Sequence, residues 1–304
     1  MKDKTTKKIT KVIYITAMSV FIFGAISCDS SSDTPFKQVV VTGLESPESI
    51  IKINDRVFVS NMGVTADGFA KDSDGSISEL SSNGTIIKKK FQNGILNAPK
   101  GLAILGNTIY VTDIDRVVGF DINSGNQVFE HLITGNNFMN DLCVVNNSLI
   151  ASGTLSGNVY QIDPQTNTST ILGNIVGANG VTWDSKTNRL YVCSSGNITA
   201  PNPVGKLYVK DMTANSPFAE LPNSPVASFD GIELIDDTKF ITDDWTNGNV
   251  FVYDFQKNTS TTYTISGNTR GTADLYYDKS SQLIYVPIPN SSSLIIEKLS
   301  DLNP

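Results

Sequence analysis

Histidine is almost missing from this 304-residue chain, where His131 stands alone. A zinc site of two or three imidazoles cannot be built from it, and the H-E-x-x-H pattern cannot be written. No G-x-x-x-x-G-K-[ST] phosphate loop occurs, and the glycine-rich nucleotide signatures are absent. There are three cysteines, Cys28, Cys143 and Cys193, and no apolar run reaches the roughly 20 residues of a membrane-spanning helix. Basic side chains are outnumbered, 23 Lys and Arg against 30 Asp and Glu, so the net charge of −7 repels nucleic-acid backbones. What remains is carboxylate and amide chemistry. With 39% hydrophobic residues the chain can bury a large core, which excludes wholesale disorder.

The first eleven residues carry Lys2, Lys4, Lys7, Lys8 and Lys11 against Asp3, and a 15-residue apolar run, 12–26, follows them. A charged start, a short apolar core and the small Ser27 before Cys28 read as a secretory signal over residues 1–27. Its ending, AISC, resembles the bacterial lipoprotein box, although Ala25 and Ile26 depart from the commonest form. That resemblance implies lipidation at Cys28 and a place on the bacterial cell envelope, periplasmic or surface-facing, with the lipid anchor as the only membrane contact. A plain signal peptide and an uncleaved anchor are the alternatives. Residues 28–35, polar and serine-rich, read as a flexible tether to a folded domain over 36–304. Cys143 and Cys193 lie in the apolar runs LCVV and LYVCS, and read as two buried strand residues or as a disulfide.

Self-comparison organises the rest. A short phrase recurs as PESI (47–50), PKGL (99–102), MNDL (139–142), ANGV (178–181), FDGI (229–232) and, more loosely, TADL (272–275). Each is followed by a β-rich run, VFVSN, IYVTD, LIASG, LYVCS, FITDD or IYVPI, and then by a third run such as GNVYQID or GNVFVYD. Turn clusters such as DSKTN and IDDT separate the first two runs. Phrase spacings of 39 to 52 residues match a four-stranded propeller blade. The reading is all-β: a six-bladed β-propeller of four-stranded antiparallel blades, predicted to be a monomer. The last unit has only three strands, and FKQVVVT (36–42) is a spare one, so this N-terminal strand is expected to complete the last blade and close the ring.

The first strand of a propeller blade lines the channel, so the second phrase residue is a ring position at one mouth. These residues are Glu48, Lys100, Asn140, Asn179, Asp230 and Ala273, followed by uniformly apolar Ile50, Leu102, Leu142, Val181, Ile232 and Leu275. The ends of the second strands are expected to add Asn61, Asp113, Ser195 and Asp243 as further ligand contacts. Two carboxylates and two amides on one axis, Glu48, Asp230, Asn140 and Asn179, suit a divalent cation such as Ca²⁺ with water as its remaining ligands. The alternative is that Asn179-Gly180 and Asp230-Gly231 only shape turns.

The phrases MNDL, ANGVTWDSKTNRLYVCSS and FDGIELIDDTKFITDDW resemble blades of the regucalcin, gluconolactonase and luciferin-regenerating-enzyme family of six-bladed propellers, while PESI is closer to strictosidine-synthase-like propellers. The resemblance implies a divalent cation in the channel and, for some members, hydrolysis of sugar lactones. It implies Asn179 and Asp230 as metal ligands, Asn140 as a ligand or substrate contact, and a blade-one glutamate, Glu48 by repeat register or Glu45 by family position. Lys100 is a departure, expected either to reach across toward Asp230 in the cation's place or to turn aside to Asp113. Two functions follow. One is a Ca²⁺-dependent hydrolase of lactones or similar cyclic esters, with Asp230 or Asp243 as the base and Lys100, Asn61, Asp113 and Ser195 around a small-molecule ligand. The other is a non-catalytic cell-envelope binding or scaffold propeller with Lys100 in the cation site. Specificity is expected from loops 63–72 and 197–204, and His131 lies at the far end of its blade.

Overall fold

In the computed structural model, which describes residues 36–303 except 137, 215, 266 and 268–270, six sheets of four antiparallel strands form a ring. The signal, Cys28 and tether readings fall on residues outside that range. Five blades begin with an innermost strand carrying the phrase: Pro47–Ile53, Pro99–Leu105, Met139–Val145, Ala178–Asp184 and Phe229–Leu234. The sixth begins at Tyr276–Asp278, just after TADL. Turn chemistry explains the hairpins. In DSKTN, Asp184 Oδ1 accepts the Lys186 N–H at 2.9 Å and Asn188 adopts a φ of 52°, the left-handed region that asparagine tolerates. In IDDT, Asp236 Oδ1 accepts the Thr238 N–H at 2.7 Å.

The cores lie between blades. Phe229, Tyr191, Phe240 and Tyr253 pack in one buried cluster, with Phe240 and Tyr253 stacked at 5.3 Å. Closure follows the expected route: Val39–Thr42 pairs antiparallel with Ser293–Lys298, and Val41 packs with Leu44, Leu80, Tyr285, Leu294 and Ile296. Two polar clasps lie inside this seam. Ser49 donates to Asp274 Oδ2 at 2.5 Å, and Lys52 pairs with Asp278. Cys143 and Cys193 are both free thiols, so the disulfide alternative is excluded. Cys193 is buried, and its Sγ lies 3.0 Å from the Asp230 carbonyl.

One irregularity recurs and positions the site. The register between first and second strands shifts at Pro47/Ile50, Pro99/Leu102, Met139/Leu142, Ala178/Val181 and Phe229/Ile232. Such a bulge leaves an extra residue unpaired and turns two consecutive side chains toward the same side. Second-strand side chains accept the N–H groups it frees. Ser60 Oγ takes that of Ser49 at 2.9 Å, Ser152 Oγ that of Asp141 at 3.0 Å, and Asp243 Oδ1 that of Gly231 at 2.8 Å.

Candidate functional site

All six second-position residues, Glu48, Lys100, Asn140, Asn179, Asp230 and Ala273, line one cavity of about 330 Å³ at the mouth of the channel. Glu48 is the blade-one carboxylate of this cavity, while Glu45 is exposed. Four buried oxygens in this ring have no hydrogen-bond partner: Glu48 Oε2, Asn140 Oδ1, Asn179 Oδ1 and Asp230 Oδ1. Leaving such atoms unpaired is costly, so four around one cavity mark a place for a ligand that accepts their lone pairs. Two carboxylates and two amide oxygens fit a hard divalent cation that keeps water as its other ligands. Among the described residues no group of three or more His, Cys, Asp or Glu side chains forms a metal site by itself, so any cation here depends on the amides.

Of the second-strand residues expected around the mouth, only Ser195 lines the cavity, and its Oγ accepts the Asn179 amide at 2.8 Å. The others turn back into the fold. Asn61 Oδ1 accepts the Glu45 N–H at 3.3 Å, and its amide donates to Val59 O and Ser78 Oγ. Asp113 Oδ1 accepts the N–H groups of Asn97 and Ala98, both at 3.0 Å, and Oδ2 binds Arg116 at 2.8 Å. Asp243 holds the Gly231 N–H and the Thr272 hydroxyl. The reason is register. Asn61 and Asp113 pair with the first phrase residues Pro47 and Pro99, as Asp244 does with Phe229, so Asp243 stands one position earlier and Ser195 one beyond Ser194, the partner of Ala178. On a pleated strand one step reverses the side chain. The position just past the strand end is the one that reaches the cavity, through Met62, Thr154, Ser195, Trp245 and Pro289.

Lys100 neither reaches a carboxylate nor turns to Asp113, which is occupied by Arg116. Its ammonium nitrogen lies 2.9 Å from Gly68 O and 3.1 Å from Ala98 O, 4.5 Å from the Phe138 ring centre. Gly68 belongs to the loop after the second strand of blade one, which covers one side of the mouth with Ala66 and Phe69. Phe69 packs on Phe138 at 4.5 Å, and Lys71 ties the loop to Asp115 at 2.6 Å. Phe69, Phe138, Ile198 and Trp245 therefore make an apolar upper wall above a polar floor. His131 is remote, on an outermost strand beside Asn167.

The third phrase residues form a layer that the sequence reading missed. They are Ser49, Gly101, Asp141, Gly180, Gly231 and Asp274. Asp141 and Asp274, from the opposite blades three and six, line a deeper cavity of about 230 Å³ with Glu233 and Thr182. Glycine makes room for them: a Cβ at Gly101 would stand 2.6 Å from Asp141 Oδ1, and one at Gly231 2.5 Å from Asp274 Oδ1. Asp141 Oδ2 also accepts the Val181 N–H at 2.6 Å, joining blades three and four.

So many carboxyls in one dry channel cannot all ionise. Burial, then the Asp230 charge, pushes Glu48 well above its ordinary range, with Lys100 pulling the other way. Burial and the Asp141 charge raise Asp230 to about 7 against the pull of Asn179 and Lys100, and burial raises Asp141 to about 6. Asp243 and Asp274 are raised mainly by burial as well. Lys100 is lowered by burial, opposed by Glu48, Asp113, Asp230 and Asp67. A neutral-pH channel of this kind needs protons or a cation to balance it.

No protein-family model matches the chain, and no curated protein does. Solved structures do. Virginiamycin B lyase from Staphylococcus aureus, in a catalytically inactive form with quinupristin, superposes with a TM-score of 0.58 at 13% identity, covering 86% of this chain and 98% of that one. A chain of a nidogen/laminin complex gives 0.57 at 17% identity over 74% and 82%, and hydrazine synthase from Kuenenia stuttgartiensis 0.57 at 12% over 81% and 74%. At these identities the likeness shows a shared propeller fold and nothing finer.

Proposed function

We propose that this protein is a divalent-cation-dependent hydrolase of small lactones or related cyclic esters, acting at the mouth of the propeller. The observation that carries the reading is the set of four unpartnered buried oxygens on Glu48, Asn140, Asn179 and Asp230 around one cavity. The resemblance of MNDL, ANGVTWDSKTNRLYVCSS and FDGIELIDDTKFITDDW to lactone-hydrolysing propellers supports it. Glu48, Asn140, Asn179 and Asp230 would hold the cation, Ca²⁺ by the hardness of the donors, which supplies Lewis-acid polarisation of a carbonyl when bound. With the cation in place Asp230 would be held ionised, below the value of about 7 that burial gives it in the cation-free channel, and as a carboxylate it is placed to take a proton. Asp243 acts through the backbone: it holds the Gly231 N–H and so fixes the strand that carries Asp230. Phe69, Phe138 and Trp245 shelter the apolar part of a substrate from water.

The test is ring opening of a panel of aldonolactones by the full chain with Ca²⁺ and with EDTA. Hydrolysis that requires the cation and disappears in Asp230→Asn supports the reading. Hydrolysis that survives either change, or none on any ester, refutes it. A second reading, a non-catalytic binding propeller, is favoured by Lys100 in the cavity wall and Ala273 in the ring, and expects saturable ligand binding without turnover. In either case the lysine-rich start, the apolar run and Cys28 support our proposal of a lipid-anchored protein of the cell envelope.

A further inference from the structure

Lys100 is a side chain that the proposed hydrolysis does not use. It is buried, 1% exposed, with its nitrogen against an aromatic ring in a cavity of about 330 Å³. Among the described residues, other lysines and arginines bind carboxylates: Lys52 with Asp278, Lys71 with Asp115, Lys186 with Asp237, Arg116 with Asp113. Lys100 shares its cavity with Glu48 and Asp230 and, among the described residues, forms no ion pair with either. Its nitrogen meets two neutral carbonyls instead, Gly68 O and Ala98 O. An ammonium carries three hydrogens, a neutral amine two and a lone pair. The two carbonyls accept both hydrogens of the neutral form, and the remaining direction, a hydrogen in the ammonium and the lone pair in the amine, lies beside the Phe138 ring rather than on a carboxylate.

We propose that Lys100 is a nucleophilic amine that captures small aldehydes or ketones in the mouth cavity as an imine. The amine nitrogen attacks the carbonyl carbon and a C–N bond forms. The carbonyl oxygen leaves as water with both amine hydrogens, and a proton from solvent on nitrogen gives the iminium. No cofactor, oxidant or reductant takes part. Phe138 and Phe69 exclude water from the adduct, and the iminium N–H retains one of the two backbone acceptors. A lysine desolvated in an apolar pocket is the usual form of such a nucleophile, and burial moves Lys100 in that direction against the charges of Glu48, Asp113, Asp230 and Asp67. This activity needs no cation and so stands apart from the hydrolase reading.

The experiment treats the full chain in EDTA at pH 7 with benzaldehyde and sodium cyanoborohydride, then follows benzylation at each lysine by peptide mass spectrometry. Lys186 and Lys257, exposed on the surface, are internal references. Modification of Lys100 at least about tenfold faster than either is the expected result, because a desolvated amine held against two neutral carbonyls presents more of its free-base form than a solvated lysine. The preference should vanish in urea-unfolded protein. Labelling of Lys100 no faster than of the references, in protein that unfolds cooperatively, overturns the proposal. Absence of lactone hydrolysis by the unlabelled protein, with Lys100 labelling as expected, would refute the hydrolase reading alone.

Discussion

Removing the charge on Asp230 should abolish the calcium response of the protein's stability and weaken its dependence on pH. A carboxyl raised from 3.8 to about 7 holds its proton in the folded state where the unfolded chain has released it, so stability falls as pH rises from about 4 through 7. At about 1.4 kcal/mol per unit the ionised group costs about 4 kcal/mol at pH 8. Asp141, raised to about 6, and Glu48 add in the same direction. A cation held by these oxygens opposes that loss. For a site with a dissociation constant of about 10⁻⁴ M, as in extracellular calcium modules, 10 mM Ca²⁺ is worth about 2.7 kcal/mol. For a domain of this size that is a rise in Tm of about 5 to 10 °C. Differential scanning calorimetry at pH 5 and pH 8, with EDTA or 10 mM CaCl₂, reads it. The EDTA-treated protein should melt lower at pH 8, calcium should restore part of the difference there and little at pH 5, and Asp230→Asn should lose the calcium response. A melting temperature in EDTA that does not change between the two pH values, or a calcium shift that persists in Asp230→Asn, refutes the reasoning.

Other outcomes follow from single contacts. Asp113→Ala strips the buried one of two carboxylate partners from Arg116 and the acceptor from two backbone N–H groups, and should cost about 2 to 4 kcal/mol in urea denaturation while leaving the calcium response intact. Gly180→Ala places a Cβ 2.4 Å from the Asp230 carbonyl, so the backbone beneath the site must move; isothermal titration should show weakened calcium binding together with a lower Tm. Deletion of residues 1–42 removes the closing strand and exposes Leu294 and Ile296, and the product should lose its cooperative unfolding transition, whereas deletion of 1–35 should retain it. Cys28→Ala should abolish incorporation of labelled palmitate if the N-terminal reading holds.

The repeat phrases made the ring legible, because a blade that must bury Ile50, Leu102, Leu142, Val181, Ile232 and Leu275 between neighbours has one way to present the residue two places earlier. The spare strand was legible for the same reason, since an open edge would otherwise remain. The bulge was not. It changes no composition, yet it turns Asp141 into the channel, where Asp274 meets it from the bend before the sixth blade's first strand, and the trace in the sequence is a third position occupied by Ser, Gly, Asp, Gly, Gly and Asp. The second-strand ring mixed three registers, so Asp113 and Asp243 were placed at the mouth although they bind backbone amides behind it. Met62, Thr154 and Trp245, one step past the strand ends, were missed because they share neither polarity nor size. Phe69 and Phe138 come from loops, which obey no period.

The direction of the closing strand fixes where the folded chain begins. Thr42 pairs with Ser293, next to the turn whose Pro289 and Asn290 border the cavity, and Val39 pairs with Ile296 further from it. The start of this strand therefore lies further from the mouth than its end. The closing strand thus carries the first described residues away from the cavity mouth, so the seam that completes the ring and the opening to the cavity are built from different ends of the same strand pair.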